Sequence, residues 1–188
     1  TIYGLVSAAA GEPKTPFDTF VCYTFVNSGE GVDLEKIYEV NPGSTGKFNV
    51  IKREFLTDNR LVLYVSPTLK SCFESPYFPL LLGRSGDLAT VEEIDTVKLT
   101  PVEKSNVSVF GRGLYTTPPP GYRIATMYSL PVYFTDTIPR EAVGSRGFYL
   151  IAEQYQGQGE GYVDTSLPSK DQCSMELFSR ETLGIMES

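Results

Sequence analysis

DTFVCYTFVN, residues Asp18–Asn27, sets Phe20, Cys22, Thr24 and Val26 on one side of an extended chain and Val21, Tyr23 and Phe25 on the other. Successive side chains of a strand point to opposite faces, so a run that is apolar on both belongs in the middle of a sheet, covered above and below. Two more runs alternate in the same way. Arg60–Val65 groups Leu61, Leu63 and Val65 against Val62 and Tyr64, and Gly147–Tyr155 groups Phe148, Leu150 and Ala152 against Tyr149 and Ile151.

Working outward, Thr1–Ser7, Glu35–Val40, Lys47–Phe55, Thr90–Leu99, Ser105–Phe110 and Tyr122–Phe134 read as further strands. In the last, Pro131 marks an edge or a bend, because proline cannot donate to a ladder. The 17 Gly and 13 Pro supply the many turns that such a chain needs. Helical signal is confined to two places: Ser169 and Gln172 frame a capping box ahead of Asp171–Arg180, and Val32–Tyr38 has room for one turn. The expectation is an all-β fold, a compact antiparallel β sandwich or barrel with long connecting loops and at most one or two short helices. With 188 residues, no repeat and no shift of composition, the chain reads as a single β domain over residues 1–188. Its opening on Thr1-Ile2-Tyr3, without an initiator Met, reads as the start of a fragment excised from a longer chain.

Charge and composition exclude several functions. A net charge of −7 and a pI near 4.7 suit a phosphate backbone poorly, so nucleic acid is not an expected partner. No apolar run approaches the roughly 18 residues of a membrane helix, so no membrane insertion is expected. Histidine is absent, which removes Ser-His-Asp and Cys-His catalysis and every histidine-containing metal site. Cys22, Cys72 and Cys173 lie too far apart for a CxxC motif, and Cys22 reads as a small buried hydrophobe. One disulfide with one free thiol stays open as an alternative. No cofactor and no metal are expected, and the chain does not read as an enzyme. Asn106-Val107-Ser108 is a glycosylation triplet that would matter only in a secretory setting.

The local motifs mostly resolve into turns. Asn41–Phe48 (NPGSTGKF) lacks both the first glycine and the final hydroxyl of a phosphate loop and reads as a turn between strands. Gly157-Gln158-Gly159-Glu160-Gly161 follows a strand but has no helix start behind it, so it reads as a flexible tip with positive-φ glycines. Gly83-Arg84-Ser85-Gly86 is one residue short of a nucleophile elbow. Glu92 and Glu93 read as a solvated patch, and Glu160 with Asp164 lacks the EF-hand calcium pattern. Pro119-Pro120-Gly121-Tyr122 satisfies PPxY, the polyproline pattern read by WW domains, but its place between two strands favours a rigid connection.

The broader functional signal lies in tyrosines beside polar loop sequence. Arg112, Tyr115, Thr116, Thr117, Tyr122, Tyr155, Gln156, Gln158 and Tyr162 form the candidate receptor-binding set. Tyrosine offers large contact area and a hydroxyl at low entropic cost, while Thr and Gln adapt their hydrogen bonds. The same tyrosines read equally as strand-edge packing residues.

Strand-rich, acidic, poor in helix, without histidine and with long connections such as Gly113–Tyr122, the chain resembles the projecting spike domain of a non-enveloped RNA-virus capsid, above all that of an astrovirus. The resemblance is one of overall character and brings no functional residue with it. It implies a homodimeric β domain on the virion surface that engages a host-cell receptor, glycan or protein, and is seen by antibodies. Two other readings stand beside it. The opening Thr1–Pro13 (TIYGLVSAAAGEP) is similar to the strand-turn start of prealbumin-like and collagen-adhesin B-type modules, which implies a structural or adhesin-like module of a bacterial surface or secreted protein. A carboxylate-based hydrolase would need two acids facing each other across a pocket.

Overall fold

The structure is a computed structural model, and it describes residues 2–39, 47–83, 86–122 and 126–185. In chain order it contains helix α1 (Ile2–Ala10), strands β1 (Val21–Val26), β2 (Gly29–Glu39), β3 (Lys47–Thr57) and β4 (Arg60–Val65), and helix α2 (Lys70–Glu74). There follow β5 (Leu80–Leu81), β6 (Leu88–Ala89), β7 (Leu99–Val102), β8 (Val107–Phe110), β9 (Gly113–Tyr115) and β10 (Thr126–Phe134). The last strands are β11 (Ala142–Ile151), β12 (Tyr155–Gln158), β13 (Gly161–Asp164) and β14 (Leu177–Phe178). The fold is all-β with two short helices, and each strand pairing with a given register is antiparallel. Among the described residues no helix is long and apolar enough to cross a membrane.

The chain divides into two compact units, residues 1–24 with 62–188, and residues 25–61. In the larger, β1 is the middle strand of the order β14-β1-β4, the position that its two apolar faces demand. Val21 and Cys22 point to opposite sides and both are buried. Val6, Val21, Leu69, Phe148, Phe178 and Leu183 form the main core, with Tyr23, Leu63 and Val65 packed against it. The second three-stranded sheet has the order β10-β11-β9, so Pro131 sits on an edge strand, opposite Ser145. Two-stranded pairs β12-β8 and β13-β7 complete the part that carries the candidate residues.

The smaller unit is built around a long hairpin. β2 and β3 run in continuous register from Gly29↔Thr57 to Glu39↔Lys47. The Phe55 ring lies across Gly31, where a Cβ would come within 2.6 Å of it, and Arg53 pairs with Glu35 on the same face. Asp58, with φ +51, turns the chain toward β4, a conformation that aspartate tolerates better than most residues.

Several expectations are corrected. Thr1–Ser7 is no strand: Ile2–Ala10 is helical, burying Leu5, Val6 and Ala9 on one stripe and ending at Gly11 with φ +77. Three consecutive alanines at 8–10 favour the helix, and the apolar spacing at 5, 6 and 9 fits its period. Val32–Tyr38 is strand rather than helical turn, because it pairs residue by residue with β3. Thr90–Leu99 is largely irregular; its half-buried Ile94 and Val97 fall three apart, out of step with a two-residue repeat. Asp171–Arg180 does not form a helix. Ser174 donates its N–H to Val109 O at 2.5 Å and accepts from Gly111 N at 3.1 Å, while Met175 exchanges backbone bonds with Tyr162, so strand partners take the backbone groups that a helix would have used. Gln172 bonds Leu167 O instead of closing a capping box. The turn expected within Asn41–Phe48 and the centre of Gly83–Gly86 lie outside the described residues.

Candidate recognition surface

β12 lies against β8 with Tyr155↔Phe110, Gln156↔Val109 and Gly157↔Ser108, and β9 pairs with β11 through Tyr115↔Tyr149 and Leu114↔Leu150. Between β9 and β10 the chain leaves the sheet and returns through Pro119–Tyr122. There Tyr122 N donates to Pro119 O at 3.1 Å and Gly121 has φ +88, the signature of a type II turn with proline second and glycine third. A WW groove requires PPxY extended; here the segment is folded back on itself, with Pro119 buried.

Two tyrosines hold this turn to the sheet. The Tyr122 and Tyr155 rings meet edge to face at 5.1 Å. Tyr155 Oη donates to Pro120 O at 3.1 Å, and Tyr122 Oη accepts from Ala152 N at 3.3 Å. Ala152 O in turn accepts from Arg112 Nε. Arg112 and Tyr122 thus meet on the backbone of Ala152, and Tyr155 joins them through the Tyr122 ring and Pro120; all three are half-buried. The two tyrosines pack on a small second core of Phe110, Tyr115 and Ile151.

The other candidates separate into exposed groups and supports. Thr117, Gln156 and Gln158 are exposed. Two-residue alternation puts Gln156 and Gln158 on the face of β12 opposite Tyr155. Gln158 Nε2 also donates to Ser105 O at 3.1 Å. Tyr115 is not a surface residue: it is buried, and its hydroxyl lies 2.9 Å from Gly111 O and 2.8 Å from Ser174 O. Burial pushes its phenol well above the ordinary tyrosine range. Thr116 gives both its N–H (2.6 Å) and its hydroxyl to the carboxylate of Glu176. Desolvation raises the Glu176 carboxyl, and the Thr116 bonds and Arg146 pull it partly back. Tyr162 is half-buried, pairs with Pro101 across β13-β7 and exchanges backbone bonds with Met175.

The glycines beside the site work by close approach rather than by turning. Neither Gly157, Gly159 nor Gly161 has positive φ, so the expected flexible tip is instead packed chain. A Cβ would lie 2.4 Å from the Tyr155 ring at Gly157, 2.8 Å from Phe110 at Gly159 and 2.3 Å from Ser174 Oγ at Gly161.

Three features escaped the sequence. Asp164 is buried, and its carboxylate accepts from Tyr64 Oη at 3.0 Å and from Ser166 N and Oγ at 2.9 and 2.5 Å, so protein donors fill the oxygens weighed for calcium. Among the described residues no three acidic or cysteine side chains converge as metal ligands. A shallow cleft of about 490 Å³ is walled by Phe17, Asp18, Phe20, Leu177, Ser179 and Arg180, and its Asp18 carboxylate is held by Thr15 N and Oγ1, both at 2.8 Å. The third feature is the exposed apolar face of the hairpin. All three cysteines are free thiols, and burial raises that of Cys22 to about 12. No family model, curated protein or solved structure matches this chain.

Proposed function

We propose that this chain is a non-enzymatic recognition domain: a homodimeric surface spike of a viral capsid that attaches to a host-cell receptor through its loops and presents antibody epitopes. The observation that carries the reading is the Tyr122–Tyr155 pair, which locks the Pro119–Tyr122 turn onto the sheet with Arg112 and the exposed Thr117 beside it, while Gln156 and Gln158 are exposed on the other face of β12. A preformed loop loses little conformational entropy on binding, and loops on a rigid β scaffold are a common home for recognition. The polar fringe suits a hydroxyl-rich glycan or a polar protein epitope, and the acidic chain suits neither nucleic acid nor an anionic surface.

The test is binding of the labelled, purified chain to a panel of intact cells before and after sialidase and protease treatment. Saturable binding abolished by one treatment supports the reading and identifies the receptor as sugar or protein. Absence of saturable binding throughout the panel counts against it.

A further inference from the structure

Pro118, Pro119 and Pro120 carry no N–H, so the connection from β9 to the Pro119–Tyr122 turn has no ladder of backbone donors to hold it. Its far end is fixed by Tyr155 Oη, which donates to Pro120 O, and by Tyr122 Oη, which accepts from Ala152 N. Its near end is fixed by one carboxylate. Thr116 N donates to Glu176 Oε2 at 2.6 Å and Thr116 Oγ1 donates to Glu176 Oε1, so each oxygen of the acid takes one donor of the same residue. The exposed Thr117 lies between the two anchors.

We infer that Glu176, as a carboxylate, is the positioning residue of the receptor-binding loop, and that protonation loosens its grip on Thr116, so the loop is held at neutral pH and freed in acid. The inference rests on the recognition role proposed for that loop, and adds to it a residue from outside the loop and a condition for binding.

The place of Glu176 in the fold suits it to the task. On one side Met175 exchanges backbone bonds with Tyr162, and on the other Leu177 of β14 pairs with Cys22 of β1. The backbone that carries the acid is therefore fixed from both directions and does not follow the loop. Tyr115, the residue before Thr116, is buried and tied to Gly111 O and Ser174 O. The clamp thus acts on the first residue beyond β9 that the sheet no longer holds.

Hydrogen bonds to an ionised acceptor are roughly twice as strong as neutral ones, so neutralising the acid weakens both contacts on Thr116 at once. Desolvation lifts the Glu176 carboxyl above the ordinary glutamate range, while the Thr116 donors and Arg146 of β11 favour the ionised form. The other titratable groups around the acid are Cys22 and Tyr23 of β1 and Tyr115 of β9, all pushed upward and protonated in acid. Arginine keeps its proton in proteins, and the chain has no histidine. Glu176 therefore carries the change of charge at this place. Its backbone and its packing on β1 stay when Thr116 lets go, so release removes only the two bonds that favour the carboxylate. The released form then has the higher pKa, and acid populates it.

The experiment is nuclear magnetic resonance of the full 188-residue chain from about pH 7.5 down to about pH 4, with circular dichroism as the check on folding. The Thr116 amide signal should titrate with Glu176, at a midpoint above 4.5. Across it the protection of the Thr116 and Tyr122 amides against hydrogen exchange, corrected for the intrinsic effect of pH, should fall about fivefold or more. Glu176→Gln should show the acid level of protection at every pH, with the Thr116 titration gone. Thr116→Val removes one of the two donors and should raise the Glu176 midpoint, read at its side-chain carboxyl carbon; Thr116→Ser should restore it. Protection that holds or rises in acid overturns the inference. So does a Glu176→Gln chain with the neutral protection of the wild type, or a midpoint that Thr116→Val leaves unmoved. None of these readings uses a receptor. Failure of cell binding would therefore strike the proposed function, whereas an acid-indifferent loop in a chain that binds cells would strike the role of Glu176 alone.

Discussion

Tyr64 Oη donates to Asp164 Oδ2 at 3.0 Å, joining β4 to β13 across 100 residues of sequence. Asp164 is buried and also takes both donors of Ser166, so its charge is solvated by protein instead of water. Tyr64→Phe should cost about 1 kcal/mol and Asp164→Ala about 2–3 kcal/mol, because the alanine takes a charged acceptor away from three donors, Tyr64 Oη and the N–H and hydroxyl of Ser166. Urea unfolding of the two single variants and the double variant checks this. The double variant should be less destabilised than the sum, as expected for partners in one network.

Stability should fall in alkali. Burial raises Cys22 from 9.0 to about 12 and Tyr23 from 10.0 to about 12, and it pushes Tyr3, Tyr64 and Tyr115 up further. Above its ordinary pKa each group loses its proton in the unfolded chain while keeping it in the folded one. The folded state then binds more protons, and stability declines as pH rises. Each such group contributes a slope of up to about 1.4 kcal/mol per pH unit. Thermal melts should therefore be flat in this respect below pH 8.5 and drop steadily from pH 9 to 12. Unchanged melting temperatures across that window would contradict the burial of these groups.

Two glycines should respond in opposite senses. Gly161→Ala would force a Cβ to 2.3 Å from the buried Ser174 Oγ and 2.9 Å from Met175 O, at a cost of about 2–3 kcal/mol. Gly4 is exposed within α1 with nothing within 4 Å of its would-be Cβ, so Gly4→Ala should stabilise by about 0.5–1 kcal/mol. Melting temperatures of the two variants test both the packing around Ser174 and the helix that replaced an expected strand.

What could be read in advance was what alternation encodes. Arg60–Val65 forms β4 with the same limits, and Val21–Val26 sits centrally because both of its faces are apolar. Short segments with two readings failed. Ile2–Val6 is apolar at positions that suit either period, and only the alanines and Gly11 behind it favour helix. Gly157–Gly161 was readable as glycine-rich but not as crowded, since the Tyr155, Phe110 and Ser174 atoms that need the space come from outside the motif or bend back onto it. At the candidate surface the turn at Pro119–Tyr122 was legible from its residues, whereas the burial of Tyr115 was not, because a lone tyrosine beside a loop looks alike inside or out. The hairpin poses the same difficulty in reverse. Val32, Leu34, Val50 and Leu56 alternate as core residues do, and no local pattern distinguishes a face that is covered within the chain from one left open.

The central claim is that the turn held by Tyr122 and Tyr155 presents a receptor-binding surface. Its most direct test is the affinity of the chain for receptor-bearing cells, measured for the wild type beside a Thr117→Lys variant. The substitution falls on an exposed side chain, so the variant should keep its melting temperature and its dimer while its affinity drops about tenfold or more. Equal affinity for the two proteins would contradict the account.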